Sequence, residues 1–131
     1  MRRLHALSIL VPSYEEGIAF FVGKMGFTLL EDTDLGGGKR WVRVAPEGAE
    51  TCFLLARAVG PEQEAAIGAQ GGGRVWLFLE TDDFPRVHAA MIAKGIAFEE
   101  APRVEPYGTV AVFRDPFGNR WDLVEFSHRG G

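Results

Sequence analysis

The stretch LHALSILVPSYEEGIAFFVGKMGF (residues 4–27) decides the fold, because its outline returns as RVWLFLETDDFPRVHAAMIAKGI (residues 74–96). In the first copy, Leu4 to Val11 is rich in Leu, Ile and Val and reads as a strand. Pro12 and Ser13 stop it. Ser13 is placed to cap a helix, with Glu15 and Glu16 in the first turn, where carboxylates favour the helix dipole. Ile18, Phe21, Val22 and Met25 recur at helical spacing, and Gly26 stands where a helix ends. In the second copy, Val75 to Glu80 reads as a strand and Thr81 and Asp82 as an N-cap. Phe84, Val87, Met91 and Ile92 form the helical stripe, and Gly95 closes it.

The rest of each copy follows the same plan. Phe27–Glu31, Lys39–Ala45 and Thr51–Ala56 read as strands in the first; Ile96–Glu99, Val110–Arg114 and Arg120–Phe126 do so in the second. Gly36 to Gly38 and Pro46 to Gly48 are turns, Pro102 to Gly108 is a loop, and Asp115-Pro116-Phe117-Gly118-Asn119 is a turn by composition. The connector holds a short helix between Pro61 and Gly68, then a glycine-rich run from Gln70 to Gly73. Gly26 and Gly95 lie 95 − 26 = 69 residues apart, and so do His5 and Arg74 (74 − 5 = 69). Two landmarks in one register mark a duplication. The expectation is a single α+β domain of tandem βαβββ modules, at 1–58 and 73–128, joined by a connector at 59–72. Ser127 to Gly131 is expected to fray.

The 131 residues fit one domain with a real core. The net charge of −4 argues against nucleic acid, whose phosphates need a basic face. A lone Cys52 excludes an internal disulfide and a Cys-rich zinc site, and it fits a cytoplasmic protein. The apolar run at the start is too short and polar for a signal segment, and no stretch approaches the ~20 residues of a membrane span, so neither leader nor membrane is expected.

The opening MRRLHALSILVPSYEEGIAFFVGKMGF and the closing FRDPFGNRWDLVE, with Pro106-Tyr107-Gly108 before it, resemble the vicinal-oxygen-chelate superfamily. That group includes lactoylglutathione lyase, fosfomycin-modifying thiol transferases, extradiol dioxygenases and bleomycin-binding proteins. The resemblance covers nearly the whole chain. It implies the glyoxalase/bleomycin resistance/dioxygenase fold, with mixed sheet curled around a cavity, and a homodimer.

Enzymes of the superfamily hold a metal on the first and last strand of each module. Carried over by motif, those positions are His5, Leu54, Arg74 and Asp122. His5 and Asp122 are weak candidates as ligands of a divalent Zn, Ni, Mn or Fe. Leu54 has no donor and Arg74 stays protonated. A catalytic ion needs three protein ligands and an open position. A guanidinium ~4 Å from a divalent ion, at an effective dielectric of ~20, costs about 8 kcal/mol. No cofactor is therefore expected, and an Arg74–Asp122 ion pair is expected where the metal would sit.

Strand parity then lines the cavity. If His5 points inward, so do Leu7 and Ile9, while Leu4, Ala6, Ser8 and Leu10 meet the helix. Val42 and Val44 should meet the helix, which turns Trp41 and Arg43 inward. Arg74, Trp76, Phe78 and Glu80 face in, as do Asp122 and Val124. Tyr107 sits in a loop that borders the cavity in relatives. This mix suits a planar or anionic organic ligand.

Blander readings stand beside these. His5 is a structural histidine, a ligand contact or a metal ligand. Trp41, Trp76 and Phe78 are core aromatics or cavity lining. Cys52 is a buried strand residue, and His88 and His128 face solvent. The leading functional expectation is a metal-independent small-molecule binder. The alternative is a glyoxalase-type lyase or thiol transferase, its metal completed by a residue such as Glu80. A third is a regulatory domain with a vestigial pocket.

Overall fold

Alternation of apolar side chains sets the first sheet. In the computed structural model, which describes residues 1–127, β1 (Ala6–Val11) pairs in parallel with β4 (Cys52–Arg57), and β4 pairs antiparallel with β3 (Lys39–Ala45). β2 (Thr28–Gly36) forms the far edge, so the order is β1-β4-β3-β2. The chain divides into two compact units, Met1–Ile67 and Gly68–Gly131, and this sheet belongs to the first. Ser13 caps α1 (Tyr14–Ile18), its Oγ accepting from the Glu16 amide at 3.1 Å. The helix continues as a π-helical turn over Ala19–Lys24. That widening changes the buried stripe: Tyr14, Gly17, Phe20 and Phe21 are buried, while Ile18, Val22 and Met25 are only half-buried. Phe21 stacks on Phe27 and Phe53 at 5.8 and 5.9 Å. A fully buried phenylalanine contributes about 1.5–3 kcal/mol, so these rings anchor the helix to the sheet.

The second unit repeats the plan. β5 (Val75–Glu80) pairs in parallel with β9 (Arg120–Phe126), and β9 pairs antiparallel with β8 (Gly108–Arg114). β6 (Ala97–Phe98) and β7 (Arg103–Glu105) both pair with β8, so the region read as a loop is the second half of an interrupted edge strand. α3 (Phe84–Ala93) follows β5, and α2 (Gly60–Ala66) is the short connector helix of the first unit. The cap of α3 is Asp83, whose carboxylate accepts from the Arg86 amide, rather than Thr81 or Asp82; the Thr81 hydroxyl instead accepts from the Asp83 amide. His88 does not face solvent as expected. It stacks 5.3 Å from Phe84 and meets Phe98 edge-on at 4.5 Å. Gly26 and Gly95 end their helices at φ 73° and 80°, conformations that favour glycine.

The Asp115–Asn119 turn fixes how β8 enters β9. Asp115 is 3% exposed, and its carboxylate accepts from the amides of Phe117, Gly118 and Asn119, from Asn119 Nδ2, and from the indole of Trp121, all near 3.0 Å. Gly68 closes on the same turn at φ 73°, where an added Cβ would lie 1.9 Å from the Phe117 carbonyl oxygen. Ser127 is not frayed: its amide donates to the Tyr107 carbonyl at 2.9 Å. His128 and the three residues after it lie outside the described residues. Among the described residues no helix is long and apolar enough to cross a membrane.

Asp115→Ala strips acceptors from five donors, two of them on buried side chains. It is expected to cost about 3 kcal/mol in urea unfolding with an unchanged m-value. A loss below about 1 kcal/mol would show that the turn is not held this way.

Candidate functional site

Each sheet packs one face on its own helix, and the other face carries the candidate residues. In the first unit the helix face is fixed by Gly17, whose added Cβ would meet Leu55 at 2.9 Å and Val11 at 3.2 Å. Ile9, Val11, Phe53 and Leu55 are accordingly buried there. Ser8 pairs with Leu54 and Leu10 with Ala56, so these lie on the opposite face. The expected parity of β1 is thus reversed: Leu7 and Ile9 lie on the helix side, and Ala6, Ser8 and Leu10 on the far side. The corresponding strand of the second unit shows why. In β5, Leu77 and Leu79 pair with Trp121 and Leu123 on the helix face, so Phe78 and Glu80 take the far face, as expected. Faces repeat only under an even offset, because side chains alternate. The register shift in β5 between Val75 and Leu77 absorbs the odd residue of the 69-residue repeat.

His5 precedes β1 and is exposed; its carbonyl accepts from the Cys52 amide at 3.0 Å. Trp41 and Arg43 lie on the far face, as parity predicts, because Val42 and Val44 are fully buried on the helix side. Trp41 remains 39% exposed. Arg43 donates through Nε to Glu31 at 2.9 Å, and another of its nitrogens lies 3.7 Å from the Cys52 sulfur. The pair holds the Glu31 carboxyl below its usual range and the guanidinium above its own. Cys52 is buried, as expected.

In the second unit the expected Arg74–Asp122 ion pair is absent among the described residues. Arg74 is exposed before β5 begins, while the residue paired with Asp122 is Phe78. Four residues of strand span roughly 13 Å, too far for a guanidinium to reach back. Asp122 is half-buried, and its Oδ1 is buried with no hydrogen-bond partner among the described residues. Burial pushes its carboxyl above the ordinary value of 3.8; Arg103 and Arg120 pull it down, and Glu100 pushes it up. Phe78, 66% exposed, lies directly across from it. Trp76 is half-buried under the connector, so close that a Cβ on Gly71 would sit 2.6 Å from its own Cβ. Tyr107 occupies the exposed turn between β7 and β8, its ring 6.5 Å from Phe126. Glu80 is exposed on the Phe78 face.

A charged network that the sequence left unassigned surrounds Asp122. Glu99 accepts from Arg120 at 2.9 Å and pairs with Arg114 at 3.0 Å. Glu100 pairs with Arg103 at 2.9 Å and also accepts from the Val112 amide. These bonds hold Glu99 and Glu100 below their usual range against the opposing effect of burial. Reading 102–108 as a loop hid Arg103; the alternation of Arg103 and Glu105 was the available signal. Among the described residues no three His, Cys, Asp or Glu side chains gather as a metal group. With donors at only His5 and Asp122, the four superfamily positions do not fit a catalytic divalent ion.

A family model described as Glyoxalase/Bleomycin resistance protein/Dioxygenase superfamily matches residues 3–123. An uncharacterised protein of Shewanella frigidimarina (strain NCIMB 400) is 48% identical over 94% of this chain and 93% of its own length. The crystal structure of TnmS3, an antibiotic-binding protein from Streptomyces sp. CB03234, is 31% identical and superposes with a TM-score of 0.78 over 97% of this chain and 98% of that one. A glyoxalase/bleomycin resistance protein from the same Streptomyces strain is 32% identical with a TM-score of 0.70, over 93% and 99%.

Because burial raises the Asp122 carboxyl, its folded form favours the proton. Its contribution is full below the unfolded value and is lost as pH rises through the folded one. Asp122→Asn should therefore gain stability over the parent at neutral pH, and the gain should vanish below about pH 3.8. Melting curves across pH test this; a gain that grows toward acid would contradict it.

Proposed function

The chain belongs to the glyoxalase/bleomycin resistance protein/dioxygenase superfamily, and from that premise we propose that it is a metal-independent binder of a planar organic molecule. The observation that carries this reading is the exposure of Trp41 and Phe78 on sheet faces that their own helices do not cover. Rings left in water at such positions are available to a flat ligand. Covering about 100 Å² of ring surface contributes about 2.5 kcal/mol. Arg43 beside Trp41, and Asp122 with its unpartnered oxygen beside Phe78, supply polar groups that orient a ligand. His5, Arg74, Trp76 and Tyr107 belong to the same proposal as flanking contacts. The likeness to an antibiotic-binding protein supports a drug-sequestering role, with the ligand held rather than transformed. A glyoxalase-type lyase or thiol transferase would need a third metal donor in place of Leu54 or Arg74.

The proposal includes a cytoplasmic homodimer. The lone buried Cys52 and the exposed Leu29, Leu30 and Leu35 on the edge strand β2 support it.

A melting screen in chelator tests the reading. A planar aromatic antibiotic at a hundredfold excess over its Kd should raise Tm by about 10 °C. Protein purified without chelator should carry no stoichiometric Ni, Zn, Mn or Fe. Stabilisation by divalent ions alone, with the glutathione hemithioacetal of methylglyoxal adding to it, would replace this reading with the enzyme.

A further inference from the structure

The first sheet is incomplete at one end. β3 and β4 pair only at Val44–Phe53 and Arg43–Leu54. Continuing that register would place Trp41 opposite Ala56 and Arg40 opposite Arg57, yet neither pair forms. The strands part there and leave a notch of about 360 Å³ within the first unit. Trp41 and Ala56 border it on the face away from the helix, Tyr14 on the other, and Lys39, Arg40 and Arg57 supply its charge.

Those three cations are not equivalent. Arg40 is committed: it donates to Asp32 at 2.7 and 3.1 Å and to Glu15, and its backbone amide donates to the Tyr14 hydroxyl. Lys39 and Arg57 have no ion pair among the described residues. Arg57 is held instead over the Tyr14 ring, 5.9 Å from its centroid. Stacking of this kind fixes a guanidinium while leaving its donors free. Among the described residues no carboxylate lines the notch. In a chain of net charge −4, that is a local reversal of sign. A cavity with two uncommitted cations and an indole at its rim has the donors for an oxyanion and a flat surface for the body that carries it.

We propose that the notch between β3 and β4 is a binding subsite for an aromatic carboxylate, its anion held by Arg57 and Lys39 and its ring laid on Trp41. This deepens the ligand-binding reading above and rests on it through Trp41, which borders both the notch and the far sheet face. It assigns the ligand a charge and places that charge at the Arg57 end of β4, away from Cys52 at the other end of that strand and from His5 before β1.

Amide-resolved NMR titration with 2-naphthoate, and with neutral 2-naphthamide as its control, tests the proposal. Naphthoate should shift the amides of Arg40, Trp41, Ala56 and Arg57 together with the Trp41 indole, and should bind about tenfold more tightly than the amide. Arg57→Gln should erase about that tenfold difference, and Lys39→Gln, on the other strand, should reduce it. Retention of the parent melting temperature separates charge loss from misfolding. Equal binding of the two probes, or naphthoate affinity unchanged in both variants, would overturn the subsite and leave the ligand-binding reading standing. Failure of both probes to shift these amides would also overturn the subsite, while the antibiotic melting screen judges the broader reading independently.

Discussion

One helix cannot cover two faces of a sheet. In each unit the helix that follows the first strand packs against one face of its sheet, and the pleat alternates side chains strictly between the faces. The helix side takes the apolar set: Ile9, Val11, Val42, Val44, Phe53 and Leu55 in the first unit, and Phe113, Trp121 and Leu123 in the second. Whatever occupies the alternate positions is left to do something other than pack on that helix. Those positions hold Trp41, Arg43, Phe78, Arg120 and Asp122.

The two far faces solve their charge differently. In the first unit, Arg43 is neutralised by Glu31 and settles over Cys52, leaving Trp41 as the accessible surface. In the second, Glu99 and Glu100 tie up Arg103, Arg114 and Arg120, and Asp122 is left without a hydrogen bond at one buried oxygen. A half-buried carboxyl without a bonded partner costs stability. Beside an exposed phenylalanine, it makes that face the less satisfied of the two.

The duplication, eight of the nine strands among the described residues and the helix positions were legible from periodicity, glycine placement and the 69-residue offset. β7 was not, because it is only three residues long and lies between Pro102 and Pro106, which give the segment a turn-like composition although its partner β8 follows directly. The face of β1 was misread for a different reason. Both parity classes of that strand are largely apolar, and assuming an inward His5 outweighed the one informative residue, Ser8, which is exposed. An odd repeat offset cannot preserve faces, and the register shift in β5 that restores them leaves no mark in composition. The Arg74–Asp122 pair failed on register too: motif spacing aligned the positions, but Phe78 is the residue that lies beside Asp122. Trp41, Arg43, Phe78 and Asp122 were legible as residues of the far faces because their strand neighbours are strongly apolar.

Calorimetric titration of a planar aromatic antibiotic in excess chelator, repeated with Trp41→Ala and Phe78→Ala, addresses the central claim most directly. Saturable binding without metal, weakened about tenfold or more by at least one of the two substitutions, is the result this account requires. Binding that appears only when a divalent ion is restored, or that ignores both substitutions, would contradict it.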